Sequence, residues 1–489
     1  MSTNKGNAAK ETRQSSDNSD RTLAETKEDK DPFLVSFADD DPESPLSWPA
    51  WKRWSIVLII SMGATCVTCA SSMVASTYTA VEPEFGISEE VATLSLSLFV
   101  WGLGISPLFL APLSETYGRR PIYLISFALF LLFNIPVAAA HNAATWLVGR
   151  TLTGLFAAPF LSVAGGSVTD MFSGPKTGRP MAIFTASPFI GPAAGPILAD
   201  AINAHQNWRV TWYFMLAWAG LQFAALVFFV PETYAPALLV KKAARLRKQT
   251  GDDRYQAPLD RQEGSIIKEV FISCARPFQL LAYEPMCALL CSWTALLLAI
   301  LYVFFSAYNI VYMDVHGFTL QETGFTFFGL LLGVILGTAT SPIFETLYRR
   351  SAQRLGHQPP PEIHLRKGMV GGPLLTISLF IFAVTTHAHP AISIVFSVPF
   401  GAGVVLVFSS VFTYLTDAYR PYAASALASN SATRSALAGA LPLVSNQMYH
   451  RLGTIGATCL LAGLTALAVP LPFIFSRYGA RIRKNSRFS

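Results

Sequence analysis

Ala111-Pro112-Leu113-Ser114-Glu115-Thr116-Tyr117-Gly118-Arg119-Arg120-Pro121 is a short charged stretch set between two long apolar runs. Neither Ala92 to Leu110 before it nor Ile122 to Ala140 after it holds an Asp, Glu, Lys or Arg. Such runs read as membrane helices, since about 20 apolar residues cross a hydrocarbon core ~30 Å thick. The stretch between them therefore faces water. A plain cytoplasmic hairpin would need only the arginines, as topology anchors. Glycine permits a tight reversal, and an acid beside paired arginines predicts a fixed ionic latch.

The composition agrees with a membrane chain. Of 489 residues, 52% are hydrophobic and 13% charged, where a soluble protein has about a quarter charged. The polar residues 1–47 predict a disordered cytoplasmic tail and no signal peptide. Cys66, Cys69, Cys287, Cys291 and Cys459 lie in apolar runs and Cys274 in a polar loop. No structural disulfide is expected, and Cys66-x-x-Cys69 reads as two small packing thiols rather than a metal or redox pair. No Gly-x-x-x-x-Gly-Lys-[Ser/Thr] run is present, which excludes an ATP-driven pump of that type. Neither a cofactor nor a metal is expected.

Twelve spans are predicted, at 53–77, 92–110, 122–140, 145–169, 181–202, 210–230, 285–311, 323–343, 367–386, 391–416, 423–448 and 454–475. They define a first half (48–231), a cytoplasmic middle loop (232–282), a second half (283–476) and a cytoplasmic tail (477–489). The fold class is thus an all-α membrane protein of two pseudo-symmetric six-helix halves. With both termini inside, 32 of the 36 Lys and Arg residues fall on the cytoplasmic side, which fixes the orientation. An internal repeat supports the two halves. Glu115-Thr116-x-x-Arg119-Arg120 recurs as Glu345-Thr346-x-x-Arg349-Arg350, and Asp170 and Asp417 close spans 4 and 10.

The opening stretch resembles the loop between helices 2 and 3 of the major facilitator superfamily, in the version found in fungal drug:proton antiporters with twelve spans. Ser44 to Pro49 with Lys52 resembles that family's entry into span 1. Pro231-Glu232-Thr233-Tyr234-Ala235-Pro236 and the segment Asp417 to Arg434 resemble further parts of it. In the family the loop acid meets the N-terminus of a helix in the other half, and the arginine meets the acid ending helix 4. The resemblance then implies that Glu115 faces the start of span 11 near Ala423 and Ala424, and that Arg119 pairs with Asp170. The second copy would set Glu345 at the start of span 5 and Arg349 against Asp417, without the glycine, since Tyr348 precedes Arg349.

Span 5 holds Ser187-Pro188-Phe189-Ile190-Gly191-Pro192-Ala193-Ala194-Gly195-Pro196. Gly191 and Gly195, one turn apart, give a flat face that another helix can approach. The three prolines weaken the backbone ladder. The stretch resembles the antiporter signature G-P-x-x-G, here Gly191, Pro192 and Gly195. Gly329, Gly333 and Gly337 in span 8 are the expected mate, and span 11 is expected to pack on span 2 at Gly102 and Gly104.

Two arginines lie inside spans. Arg150-x-x-x-Gly154 resembles the family's R-x-x-x-G motif, tied to proton coupling, and an intramembrane charge should face a wet cavity. The plain alternative is a side chain that reaches the headgroups. Arg434 is either a cavity residue or a polar helix–helix contact. No Asp or Glu is read at mid-depth, so no carboxylate that alternates between proton and substrate is visible. Tyr302, Phe305, Tyr308 and Asn309 in span 7 are candidates for an apolar cavity wall, with Phe189 and Asn430 beside them.

These readings converge on a proton-coupled exporter of small apolar organic compounds, not an enzyme, working by alternating access. Its partners are a small-molecule substrate, protons and the lipid bilayer. No nucleic acid is expected, and the protein is expected to act as a monomer in the plasma membrane. The rivals are export of a self-made secondary metabolite or of polyamines, and a transceptor. A polyamine site should show cavity carboxylates.

Overall fold

The computed structural model describes residues 33–38, 41–173, 176–261, 266–356, 359–419, 422–484 and 486. Most of the expected tail at 1–47 lies outside the described residues. Among them the chain is helical, with one isolated bridge between Leu34 and Gln256. A lipid-crossing segment must satisfy its own backbone groups, and the helix does so within one segment.

The crossing helices are α1 (Ala50–Phe85), α2 (Glu89–Ile105 with Pro107–Tyr117, bent by 40°), α3 (Arg119–Ala138), α4 (Ala143–Met171), α5 (Gly178–Asn203), α6 (Trp208–Phe229), α7 (Pro285–Val315), α8 (Leu320–Leu355), α9 (Pro361–Thr385) and α10 (Pro390–Ala418). The run Ala423–Arg483, 61 residues long, would measure about 90 Å as one helix, three times a bilayer core. It divides at Gly453, whose φ of 71° and ψ of 169° are not helical, into α11 (423–452) and α12 (454–483). With that division and the bent α2, the described residues hold twelve segments long and apolar enough to cross a membrane, the number that hydropathy predicts.

Helix pairing repeats between the halves. α1 packs on α5 as α7 packs on α11, and α2 packs on α4 as α8 packs on α10. Between the halves α5 meets α8 and α2 meets α11. The glycine faces serve these contacts differently from the expectation. A Cβ at Gly191 would meet Cys69 N of α1 at 2.7 Å, and one at Gly195 would meet Cys69 O at 3.0 Å. Gly333 and Gly337 press in the same way on Val398 and Ala402 of α10. The small faces of α5 and α8 therefore close each half from within, and are not each other's mates. On the α2–α11 seam Gly104 lies against Ser435 and Ser431 as expected, while Gly102 faces α4 instead. The prolines of α5 leave carbonyls without donors, and Ser187 Oγ takes one of them, Phe184 O, at 2.7 Å.

A small separate unit joins the end of the N-terminal segment to Ala235–Glu263. Its helix Ala235–Thr250 presents Lys242 to Asp41 (2.6 Å), Arg245 to Glu43 and Arg247 to Asp260 (3.2 Å). Val35 is buried with Ala243 and Ala257. The last part of the expected disordered tail is thus ordered, because its acids meet the basic run of the middle loop. Pro470–Arg483 is helical, and Arg483 donates to both carboxylate oxygens of Glu362, at 2.9 and 3.0 Å.

Gly154 of α4 faces the backbone of Phe99 on α2, whose Cα and C would lie 2.7 and 2.8 Å from an added Cβ. Gly154→Ala should therefore part α2 from α4 at a cost of about 1–3 kcal/mol. The measurement is the melting midpoint in detergent. An unchanged midpoint would show that the close approach is not needed.

Candidate functional site

The charged stretch is not a loop. α2 runs through Tyr117 and α3 begins at Arg119, so a single residue, Gly118, makes the reversal at φ 97°. That conformation favours glycine. Arg119 is buried. Its Nη1 donates to Ser114 Oγ at 2.6 Å and its Nε to Asp170 Oδ2 at 3.4 Å, and Tyr234 covers it at 4.8 Å. The expected Arg119–Asp170 pair is present. Glu115 is exposed and makes no hydrogen bond or ion pair with a described residue, so the contact expected at the start of α11 is not formed in this conformation.

Glu232 does what the sequence did not announce. Its carboxylate accepts the backbone N–H groups of Arg119 (2.9 Å) and Arg120 (3.1 Å), and those of Thr233 and Tyr234 (3.0 and 2.9 Å). It caps the N-terminus of α3, where Gly118 has no side chain to do so. The resemblance at Pro231 to Pro236 marked the stretch without assigning Glu232 this role.

The second copy is built differently. Glu345 does lie at the start of α5, its carboxylate 2.6 to 2.9 Å from where a Gly178 Cβ would stand. Arg349, however, turns back to Glu345 at 2.6 Å, and Asp417 has His364 at 3.6 Å. With Tyr348 in place of glycine the helix Ser341–Leu355 continues through the copy. No new helix starts at Arg349, and its side chain stays on the old one.

At the centre Arg150 is fully buried, which rules out the interfacial anchor. Its Nη1 donates to Ala70 O of α1 at 3.0 Å. Phe99 and Trp212 stand 4.3 and 5.1 Å from the guanidinium, within cation–π range. Its Nε and Nη2 have no partner. The next residue of α1 after Ala70 is Ser71, whose Oγ bonds Tyr302 Oη of α7 at 2.8 Å and ties the halves together. Phe305 stands edge-on to Tyr302 at 5.4 Å. Arg434 of α11 is buried and makes no hydrogen bond with a described residue. Its Nε is an orphan, and Phe412 lies 5.7 Å away. Asn430 donates to Thr294 at 2.6 Å and leaves Oδ1 unpaired. Phe189 meets Phe408 across the halves at 4.7 Å.

Two span 7 candidates turn elsewhere. Tyr308 packs on Phe327 and Phe382, inside the second half. Asn309 opens a π-helical segment, Asn309–Val315, which changes the register of α7 beyond it. One carboxyl went unnoticed in the sequence. Asp200, in the last turn of α5, is 2% exposed. Its Oδ2 would lie 2.9 Å from a Cβ at Gly324 of α8, on the α5–α8 seam. It stood inside an apolar run near the span's end, and only the packing of α8 reveals its burial.

A family profile described as Major Facilitator Superfamily matches residues 60–443. The chain belongs to the major facilitator superfamily. It is 42% identical over 468 residues to the efflux pump atB of Aspergillus terreus, covering 94% of this chain and 90% of the other. It is 39% identical over 462 residues to the probable drug/proton antiporter YHK8 of Saccharomyces cerevisiae, covering 93% and 90%. The partially occluded inward-open structure of the xylose transporter XylE from E. coli has the same fold. The TM-score is 0.59 at 16% identity, over 87% of this chain and 99% of that one. Membership makes this major facilitator protein a multi-pass membrane transporter, not an enzyme.

The Arg119 cluster yields a test. Arg119→Ala and Asp170→Ala should each cut transport about tenfold while the protein still reaches the membrane. A double-mutant cycle on transport should give a coupling energy of about 1 kcal/mol or more. Additive losses would mean that the 3.4 Å pair is not a functional unit.

Proposed function

We propose that this transporter exports small, mostly apolar organic compounds in exchange for protons, by alternating access of the two halves. The observation that carries the proposal is the buried Arg150 guanidinium, with two unpartnered nitrogens, Nε and Nη2, beside the Ser71–Tyr302 bond that joins the halves. An intramembrane charge is costly and is kept for ion or substrate handling. The aromatic wall near it suits an apolar solute. The names of the curated relatives, an efflux pump and a probable drug/proton antiporter, point the same way. In this reading Arg119, Asp170 and Glu115 gate the cytoplasmic end, and Gly191, Pro192 and Gly195 keep α5 close to α1. Tyr302, Phe305, Phe189, Asn430 and Arg434 border the substrate path. Asp200 is a second carboxyl able to take a proton, at the opposite end of the α5–α8 seam. Both termini face the cytoplasm of a plasma-membrane protein.

Expressed in cells that lack their own exporters, the protein should lower drug accumulation, and a protonophore should abolish the effect. Arg150→Ala should lose proton-driven efflux while still binding substrate, and Arg150→Lys should keep part of the activity, since charge survives without the planar fork. Wild-type export by Arg150→Ala, still sensitive to protonophore, would remove Arg150 from the mechanism. Tags at Met1 and near Gly251 should be unreachable from outside intact cells. Surface labelling of either would reverse the orientation.

A further inference from the structure

The centre of the bundle holds positive charge with no negative charge to answer it. Arg150 and Arg434 are 0% and 8% exposed. Arg119, the third buried arginine, has Asp170. Arg150 has a single backbone carbonyl, and Arg434 has no hydrogen bond or ion pair among the described residues. Among the described residues no carboxylate bonds either guanidinium.

The two arginines stand on helices that pack on the pair joined at the centre. Arg150 reaches Ala70 O of α1, and Ser71 beside it bonds Tyr302 Oη of α7. Arg434 is on α11, which packs on α7 and is tied to it by the Asn430–Thr294 bond. A desolvated cation without a partner is strongly disfavoured, so an anion entering here removes a penalty as well as adding an attraction. The guanidinium fork matches a carboxylate in two parallel hydrogen bonds. Tyr302, Phe305 and Phe412 supply apolar ring surface.

We propose that the exported compounds are organic anions, carboxylates on an apolar or aromatic body, whose carboxylate docks on Arg434 with Arg150 facing it across Tyr302. This rests on the efflux reading and names its substrate class. A neutral or cationic drug would leave both guanidiniums uncompensated. Exchange of one such anion for one inward proton moves two charges in the same electrical sense. Transport should therefore quicken when the inside is made negative.

The test uses the purified full chain and three probes of one size: 1-naphthoate, 1-naphthamide and 1-naphthylmethylammonium, titrated calorimetrically at neutral pH. Naphthoate should bind about tenfold or more tighter than naphthamide, as a charge-assisted pair requires, and the ammonium should bind worst. Arg434→Gln should erase the preference for naphthoate over naphthamide. Arg434→Lys should restore part of it. A melting curve for each variant confirms folding. The proposal is overturned if wild-type protein prefers naphthamide or the ammonium, binds none of the three, or if Arg434→Gln keeps the full preference. Efflux of the same probes from proteoliposomes separates the two readings. Naphthoate binding without proton-driven efflux would remove the transport reading and keep the anion site. Proton-driven efflux of naphthamide but not naphthoate would do the reverse.

Discussion

A guanidinium in an apolar interior must be held by aromatic faces, carbonyls or water, and Arg150 meets that constraint with neighbours drawn from three helices. Ala70 O comes from α1, the Phe99 ring from α2 and the Trp212 ring from α6. The glycine one turn later explains how Phe99 arrives. Gly154 has no Cβ, so the Phe99 backbone rests directly on α4, and its ring reaches over the guanidinium on the same face. Arginine and glycine at i and i+4 are thus one device: the glycine brings in the helix whose ring shields the charge.

The halves are joined by few polar contacts. Among the described residues Ser71–Tyr302 lies at the centre, Trp101 Nε1 donates to Ala436 O (3.2 Å) on the α2–α11 seam, and His205–Gln321 (3.0 Å) and Asn446–Glu89 lie toward one end. Each such bond has a net worth of about 0.5–1.5 kcal/mol, small enough to break and re-form in a transport cycle. Contacts inside each half are of another kind. Gly191 and Gly195 on α1, and Gly333 and Gly337 on α10, put backbone against backbone, which is hard to slide. Stiff halves on a lightly bonded seam suit rigid-body rocking.

Much of this was legible in the sequence. Length and hydropathy gave twelve crossings, because the bilayer imposes a span that composition alone satisfies. The Arg119–Asp170 pair was implied by the resemblance of the Ala111–Pro121 stretch to the family's loop. The Arg349–Asp417 pair did not hold, because a motif copied without its glycine no longer breaks the helix. The mates of Gly191 and Gly333 were misassigned, since a small-residue face says that a helix approaches but not which one. Glu232 and Asp200 were invisible for a related reason. A carboxylate's role depends on what the fold sets beside it, the start of α3 for one and Gly324 of α8 for the other. Tyr302 stood on the right face of α7, while the π-helical turn at Asn309 changed the register beyond it.

The account turns on coupling between substrate and proton through this centre. The most direct measurement is proton movement in proteoliposomes with no imposed pH gradient, after an exported compound is added to one side. Movement of protons opposite to the compound, lost in Arg150→Ala, is the predicted result. Movement of the compound with no proton flux would contradict it.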